Sequence, residues 1–425
     1  MSSGASTTEA ADRLKVLVVS QYFWPEVFRV NEVVSELTAR GHEVTVLTGR
    51  PNYPEGTVFA EYQRDPAQFS SYAGAEVLRV PLRPRGKGSL RLMLNYWSFV
   101  FWGCLLSPWL LRGRKFDAIF CYETSPITSA LPAVLLRRIK RAPLLLWVLD
   151  LWPDTLSAVG MVRSERVLGW VGRLVAFIYK RCDLILGQSR GFFAPIERWS
   201  CAPSKTRYFP QWAEGAFDAD LAAVRPAPEL AVHADAFKIL FAGNIGDAQD
   251  FPAVLDAAEA LRTRADIHWL IVGDGRAADW VRAEILRRGL EGTVFMLGRH
   301  PLERMPEFFK GADVLLASLK AEPIFAMTIP GKVSAYLTAG KPLLAMLDGE
   351  GAQVVMEAGA GLAVPAGDSR ALASAVEQLA GMDAVSREAM GQQARSYCQR
   401  EFHRASLISQ LEYWLREQAA VFGKR

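Results

Sequence analysis

Short apolar runs bounded by glycine or polar residues recur along the chain, and the stretches between them carry apolar residues at helical spacing. KVLVVS (Lys15 to Ser20), GHEVTVLTG, AEVLRVPL, FDAIFCYE, LLLWVLDLWP, DLILGQS and RYFPQW predict buried parallel strands. Helices are expected between them, among them a long apolar one, one from about Pro126 and one from about Ser164 to Arg181. The alternation lapses from Ala213 to Ala236, an Ala-, Pro- and Asp-rich stretch. It restarts with FKILFAGNIG, IHWLIVGDG, TVFMLGR, ADVLLASLK, KPLLAMLD and GLAVPAG. This pattern predicts an α/β chain of two doubly wound, Rossmann-like domains, 14–212 and 237–401, facing each other across a cleft. Residues 213–236 then form a linker, 402–425 a terminal helix packing back on the first domain, and 1–13 a disordered leader. That leader is polar and lacks the basic and apolar regions of a signal peptide.

No charge occurs from Leu92 to Leu111 (LMLNYWSFVFWGCLLSPWLL), a length that reaches across a bilayer. A span here would put strands of one sheet on opposite sides of the membrane, which cannot fold; Pro108 and Asn95 also oppose it. Two readings remain open: a helix buried against sheet and neighbours, and a membrane-docking helix at about 90–112 lying in the bilayer interface. Trp97, Phe101, Trp102 and Trp109 favour the interface, together with Arg83, Arg85, Lys87 and Arg91 before them and Arg112, Arg114 and Lys115 after. Indole rings and cations meet anionic headgroups there.

Half of the 425 residues are hydrophobic and 22% are charged, which supplies real cores and excludes intrinsic disorder. The net charge of +4, from 49 basic and 45 acidic residues, is too slight for a dedicated nucleic-acid protein. Five dispersed cysteines form no CxxC pair, and five histidines show no HxxxH or HExxH spacing. Neither a disulfide framework nor a metal site is indicated, and a reducing cytosol is the natural compartment.

Candidate chemistry gathers at strand ends. In FAGNIGDAQDF (Phe241 to Phe251) a strand passes through a small-residue turn, Gly243, Asn244 and Gly246, into a helix start. Backbone N–H groups at such a turn suit a phosphate; a tight turn without a ligand is the plainer alternative. The GxGxxG dinucleotide fingerprint is absent. Gly273, Asp274 and Gly275 repeat the theme after the next strand. Lys332 opens a helix in IPGKVSAYLTAGKP, where the helix dipole disfavours a cation. A phosphate partner would resolve that misfit, with Lys320 and Arg299 at earlier strand ends, whereas a solvated lysine is the plain reading. Asp150 ends LLLWVLD and so points toward the cleft, or else caps the following turn. Asp218 and Asp220 have DxD spacing but lie in the linker with no strand to position them, and read as solvated acids.

Taken in order, SQYFWPEVFRVNEVVSELTARGHEVTVLTGRPNYPEG, LDLWPDTLSAVG, YFPQWAE, FAGNIGDAQDF and IPGKVSAYLTAGKPLLA resemble glycosyltransferase family 4, the retaining group of GT-B transferases. The resemblance covers nearly the whole chain after the leader and is to a bacterial polysaccharide subgroup. It implies a hexosyl or N-acetylhexosaminyl transferase that moves a sugar from a nucleotide-diphosphate sugar, a UDP-sugar first among the candidates. The acceptor it implies is a polyprenyl-diphosphate-linked saccharide of O-antigen, capsule or colanic-acid-type polysaccharide. Retention, no metal, no cofactor and a cytoplasmic enzyme peripheral on the inner face of the bacterial plasma membrane are also implied.

By the same resemblance the C-terminal domain holds the donor, with the diphosphate near Gly243 to Gly246 and Lys332 and the base near Arg299. The N-terminal domain holds the acceptor, and Asp150 falls where the family places a catalytic-side group near the donor sugar. The sequence departs from the family pattern in places. Asn244 occupies the region of the usual Arg, and no Lys follows. Met327 and Ala335 stand where the two glutamates of the E-x7-E motif belong, so Ser334 or backbone groups would make the ribose contact. The glycine pair of the N-terminal loop is replaced around Val27 to Val30. Cleaving a sugar–diphosphate bond develops negative charge on the leaving phosphate, which preorganised N–H groups, a helix start and lysine stabilise without a metal. Two other readings are a nucleotide-sugar epimerase of similar architecture and a non-catalytic nucleotide-sugar-binding partner. The first needs acid–base residues and no lipid contact; the second is what the missing glutamates and Arg/Lys pair would allow.

Overall fold

In the computed structural model, residues 13–423 are described except 87, 159–161, 163, 214 and 218–220. The expected leader up to residue 12, Lys87, Asp218 and Asp220 therefore lie outside the described residues. The chain forms two compact units. One comprises the chain through Gln188, Phe192–Phe209 and the chain from Arg404 on; the other comprises Ser189–Gly191 and Pro210–His403.

The first unit is built on strands β1 (Lys15–Val19), β2 (Glu43–Gly49), β3 (Ser71–Tyr72), β4 (Ala75–Val80), β5 (Ala118–Glu123), β6 (Leu144–Val148), β7 (Leu184–Gly187) and β8 (Thr206–Tyr208). Their order is β3-β4-β2-β1-β5-β6-β7-β8, and only the β3–β4 pairing is antiparallel among them. Every residue of β5 and β6 is buried, as parallel strands covered on both faces require. The chain steps one way from β1 to β2 and β4, then back across to β5 and onward. Right-handed crossovers therefore put the Ser89–Leu110, Leu131–Lys140 and Glu165–Tyr179 helices on one face and the Arg29–Ala39 helix on the other.

The Arg29–Ala39 helix buries Val30, Val33, Val34 and Leu37, one apolar stripe at helical spacing. Beside it lies the Arg404–Phe422 helix, whose Leu407, Ile408, Leu411, Trp414 and Leu415 are buried. Ion pairs Arg404–Glu32 at 3.5 Å and Arg40–Glu412 at 3.2 Å bracket this contact. Underneath runs an aromatic column. Trp147 of β6 packs on Phe209 with ring centroids 4.7 Å apart and donates its indole N–H to the Phe209 carbonyl at 3.0 Å. Phe209 in turn meets Trp414 at 5.9 Å.

The second unit repeats the plan with β9 (Phe237–Ala242), β10 (Ile267–Val272), β11 (Val294–Gly298), β12 (Val314–Ser318), β13 (Leu343–Met346) and β14 (Gly361–Val364). The order β11-β10-β9-β12-β13-β14 is fully parallel and reverses direction between β9 and β12. A crevice opens at such a switch, outside the carboxyl ends of the strands. The described part of the stretch expected as a linker is packed on this unit. Phe217 stacks on Phe309 at 5.6 Å, Leu221, Ala227 and Leu230 are buried, and Glu229 pairs with Arg304 at 2.8 Å. Its few apolar side chains hold it down despite the Ala, Pro and Asp composition.

Trp414 closes the aromatic column from the chain's last helix. Trp414→Ala is expected to cost the first unit about 3–5 kcal/mol, the range for a buried aromatic truncated to alanine. Guanidinium unfolding checks this; a loss below about 1 kcal/mol would mean the terminal helix is not part of that unit's core.

Candidate active site

At the switch point of the second unit, β9 runs into Gly243 (φ +133°) and β10 into Gly273 (φ +145°). A Cβ on Gly273 would stand 1.8 Å from the Gly243 carbonyl oxygen, and one on Gly275 would stand 2.2 Å from that of Ile245. Only glycine permits both the approach and the left-handed backbone. The Gly273–Gly275 turn is thus the packing partner of the Gly243–Gly246 turn. The Gly243 N–H donates to the Val272 carbonyl at 2.8 Å, that of Ile245 to Asp274 at 2.9 Å, and that of Gly246 to the Gln249 Oε1 at 3.0 Å. These engaged groups narrow the anion-binding capacity expected of the turn. The exposed Asn244 amide also donates to Gln249 Oε1, at 3.3 Å.

Lys332 fills the space beneath this turn. Its Nζ sits 3.3 Å from the centroid of the Phe241 ring, and its Cε lies 2.8 Å from where a Gly243 Cβ would be. The Nζ is buried and has no hydrogen-bond acceptor among the described residues. Burial lowers its pKa to about 7, while the Phe241 ring face attracts the cation. Four residues on, the Tyr336 hydroxyl accepts from the Ala242 N–H at 3.0 Å and reaches the Ala242 carbonyl at 3.3 Å. The i, i+4 spacing puts Lys332 and Tyr336 on one side of the Gly331–Ala339 helix, which clamps the end of β9.

Lys320 follows β12 across the same crevice. Its N–H donates to the Ala248 carbonyl at 2.9 Å, and its charge opposes the burial that raises Asp250. Gly243, Asn244, Gly246, Gly273, Asp274, Gly275, Lys320 and Lys332 are therefore brought together. Arg299 is exposed after β11, one residue past Gly298, whose carbonyl accepts from the Gly273 N–H at 2.8 Å. Ser334 is buried and donates to the Gly331 carbonyl at 2.9 Å within its own helix.

In the first unit Asp150 follows β6, where Thr155 Oγ1 donates to its Oδ1 at 2.5 Å and Ser125 and Trp152 also bond it. Burial still raises its pKa. Tyr96, from the Ser89–Leu110 helix, bonds Ser125 and lies within electrostatic reach of Asp150. The neighbouring strand ends in Glu123, wholly buried, with neither carboxyl oxygen hydrogen-bonded among the described residues. Burial first, and Asp150 second, push its pKa well above the usual range. Among the described residues, no three His, Cys, Asp or Glu side chains are grouped to hold a metal ion.

The family pattern of "Glycosyl transferase 4-like domain" matches residues 27–212, and that of "Glycosyl transferases group 1" matches residues 236–381. Together they take in every strand except β1, and both sets of strand-end residues. The chain belongs to the group 1 glycosyltransferases. It is 27% identical over 346 residues to the putative colanic acid biosynthesis glycosyl transferase WcaI of Escherichia coli K12, covering 77% of this chain and 82% of that one. It is 24% identical over 320 residues to the probable glycosyltransferase WbjE of Pseudomonas aeruginosa, covering 73% and 78%. In fold it is similar to Anabaena Alr3699/HepE, solved in complex with UDP and glucose, with a TM-score of 0.63, 16% identity, and coverage of 95% and 99%. The fold is the GT-B type, two Rossmann-like parallel-sheet domains.

The transferase also carries an inside-out helix. Ser89–Leu110 buries Asn95, Phe99, Gly103 and Ser107 along one stripe and exposes Leu90, Met93, Leu94, Trp97, Phe101, Leu105 and Trp109 along the other. Trp97, Phe101 and Trp109 are 50%, 59% and 71% exposed, while Trp102 is half-buried with its ring edge-on to Phe101. The Glu165–Tyr179 helix, on the same face of the sheet, exposes Trp170 and Phe177, with Arg173 and Arg181 stacked over their rings at 4.7 and 3.6 Å. No described helix is long and apolar enough to cross a membrane.

Glu123, Tyr96 and Tyr336 escape the sequence reading. Glu123 carried the same signal as Asp150, an acid closing an apolar strand, and Tyr336 the i+4 spacing from Lys332. Nothing local marks Tyr96, whose role comes from a neighbour distant in the chain.

Two outcomes follow from the Lys332 crevice. Gly273→Ala is expected to cost about 3 kcal/mol and to abolish nucleotide binding, because neither backbone can move aside; a variant with wild-type melting would refute the close approach. Between pH 7 and the ordinary lysine value of 10.5, the unfolded chain holds a proton that folded Lys332 has released. Stability of the unliganded transferase should therefore rise with pH across that window, and the rise should diminish in Lys332→Met. Urea unfolding at pH 7 and pH 9 measures the difference; equal slopes for the two proteins would count against a buried ammonium.

Proposed function

We propose that this glycosyltransferase moves a hexosyl or N-acetylhexosaminyl group from a UDP-sugar to a polyprenyl-diphosphate-linked saccharide in bacterial surface polysaccharide biosynthesis, with retention and without a metal. The observation that carries the donor half is Lys332: a buried cation without an acceptor, beneath a glycine turn at a sheet switch point. An anionic diphosphate would supply the missing counter-charge, and the lysine would stabilise the charge that develops on the departing phosphate. The UDP and glucose in the Anabaena HepE complex support uracil as the base. The colanic-acid role in the name of WcaI supports a surface polysaccharide as the product.

On the acceptor side, Asp150 is the group placed to orient or deprotonate a hydroxyl, with Thr155 and Ser125 fixing its carboxylate. Tyr96 links that spot to the helix that exposes its aromatic stripe. Trp97, Phe101 and Trp109 with the flanking cations suit docking on the anionic inner face of the plasma membrane, where a lipid-linked acceptor resides. Trp170 and Phe177, each stacked with an arginine, extend that face.

UDP-glucose titrated with a chelator present tests the donor half. Because binding needs a charged Lys332, affinity should fall by up to about tenfold per pH unit as pH rises above about 7, and Lys332→Ala should remove that dependence. Binding that requires a divalent ion would overturn the metal-free reading. Asp150→Asn is expected to lower turnover by about 10²–10³-fold with donor affinity unchanged, measured by sugar transfer to a lipid-linked acceptor. Full turnover in that variant would remove Asp150 from the chemistry.

A further inference from the structure

The cations that precede the Ser89–Leu110 helix are not equivalent. Arg83 and Arg91 are exposed, whereas Arg85 is half-buried. The Arg85 N–H donates to Asn52 Oδ1 at 2.9 Å, and its guanidinium lies over the Tyr53 ring at 5.3 Å. Asn52 is wholly buried and also accepts from Asn95 Nδ2 of the helix at 3.2 Å, so the segment holding Arg85 is pinned to the helix that carries the exposed aromatic stripe. Tyr22 packs on Tyr53 at 5.6 Å, and both Tyr22 and Tyr96 lie within electrostatic reach of the guanidinium.

No carboxylate pairs with Arg85 among the described residues, and the nearby acids are engaged elsewhere. Glu26 accepts from the N–H groups of Asn52, Tyr53 and Phe23 at 2.7, 2.8 and 3.0 Å. Asp150 is held by Thr155, Ser125 and Trp152. The result is a guanidinium fixed at its backbone and along one face, walled by phenols and lacking a counter-ion. Its forked N–H donors match phosphate oxygens in geometry and charge. Tyr96, which is near both Arg85 and Asp150, precedes the exposed Trp97 in the helix.

We propose that Arg85 holds the phosphate oxygens of the lipid-linked acceptor's diphosphate, with the prenyl chain along the Trp97–Phe101 stripe and the saccharide directed toward Asp150. The assignment rests on the lipid-diphosphate acceptor reading above and adds the residue that recognises it. A headgroup phosphate of the bilayer is the other source of the same chemistry.

Farnesyl diphosphate, titrated into the full-length protein without vesicles or donor, separates these sources. Arg85→Gln is expected to weaken its binding by about 30-fold and Arg85→Lys by less, since lysine keeps the charge and loses the fork. Farnesol should bind wild type and Arg85→Gln alike. Affinity for vesicles with about 30% phosphatidylglycerol should change less than about twofold in Arg85→Gln, because the exposed cations and aromatics govern that contact. Thermal melting of each variant verifies that it is folded. Equal affinity of wild type and Arg85→Gln for farnesyl diphosphate would overturn the proposal, and a selective loss of vesicle binding would reassign Arg85 to the headgroup. Failure of wild type to bind farnesyl diphosphate at all would remove the acceptor reading and this assignment with it.

Discussion

One buried ammonium sets the terms for the second unit. Lys332 reaches under the end of β9 because Gly243 has no side chain to obstruct it. Gly243 can stand there because Gly273 admits its carbonyl oxygen. The Phe241 ring offsets part of the desolvation, and Tyr336 fixes the helix so that the lysine cannot withdraw. Two glycines, a lysine and a tyrosine from three separate segments therefore form a single constraint. A cation so placed is poorly satisfied in the unliganded protein, which is the electrostatic condition under which a bound anion gains the most.

The first unit depends on a different inversion. Its long apolar helix turns Asn95, Gly103 and Ser107 inward beside Phe99 and Val100, and Trp97, Phe101 and Trp109 outward, an exposure a core helix in water does not show. Asn95 is the pivot: it bonds Gln21 at 2.8 Å, Asn52 at 3.2 Å and the Arg83 carbonyl at 2.6 Å. That network ties the helix to the loops after β1 and β2, and Gly103 lets it lie close against Pro132. The anchoring leaves the aromatic stripe exposed and brings Tyr96 within electrostatic reach of Asp150. The exposed aromatic stripe and the tyrosine near Asp150 thus belong to one helix.

Much of this was legible from local pattern. Apolar runs marked the strands because parallel strands covered on both faces must be apolar throughout. Asp150 and the Gly243 turn were legible because strand ends face the crevice in any doubly wound sheet. Less legible was what each end residue touches. The Gly273–Gly275 turn read as a repeat of the Gly243 theme, and the structure packs the two turns directly against each other. Trp102 read like its neighbours, yet helical geometry turns it partly inward. The stretch from Ala213 to Ala236 read as a linker by composition, but Leu221 and Leu230 pack it down.

The sequence by itself determined the two doubly wound sheets and the positions where polar residues close buried strands, since these follow from periodicity and spacing along a few neighbouring residues; the transferase family was legible only as a resemblance of several motifs taken in order. Only the tertiary structure decided that Lys332 is desolvated, that Glu123 is a wholly buried acid whose pKa is raised beside Asp150, and that Arg85 lacks a carboxylate partner among the described residues. Each of those properties is set by how much water and which charges surround a side chain, and the groups that exclude that water come from segments far apart in the chain.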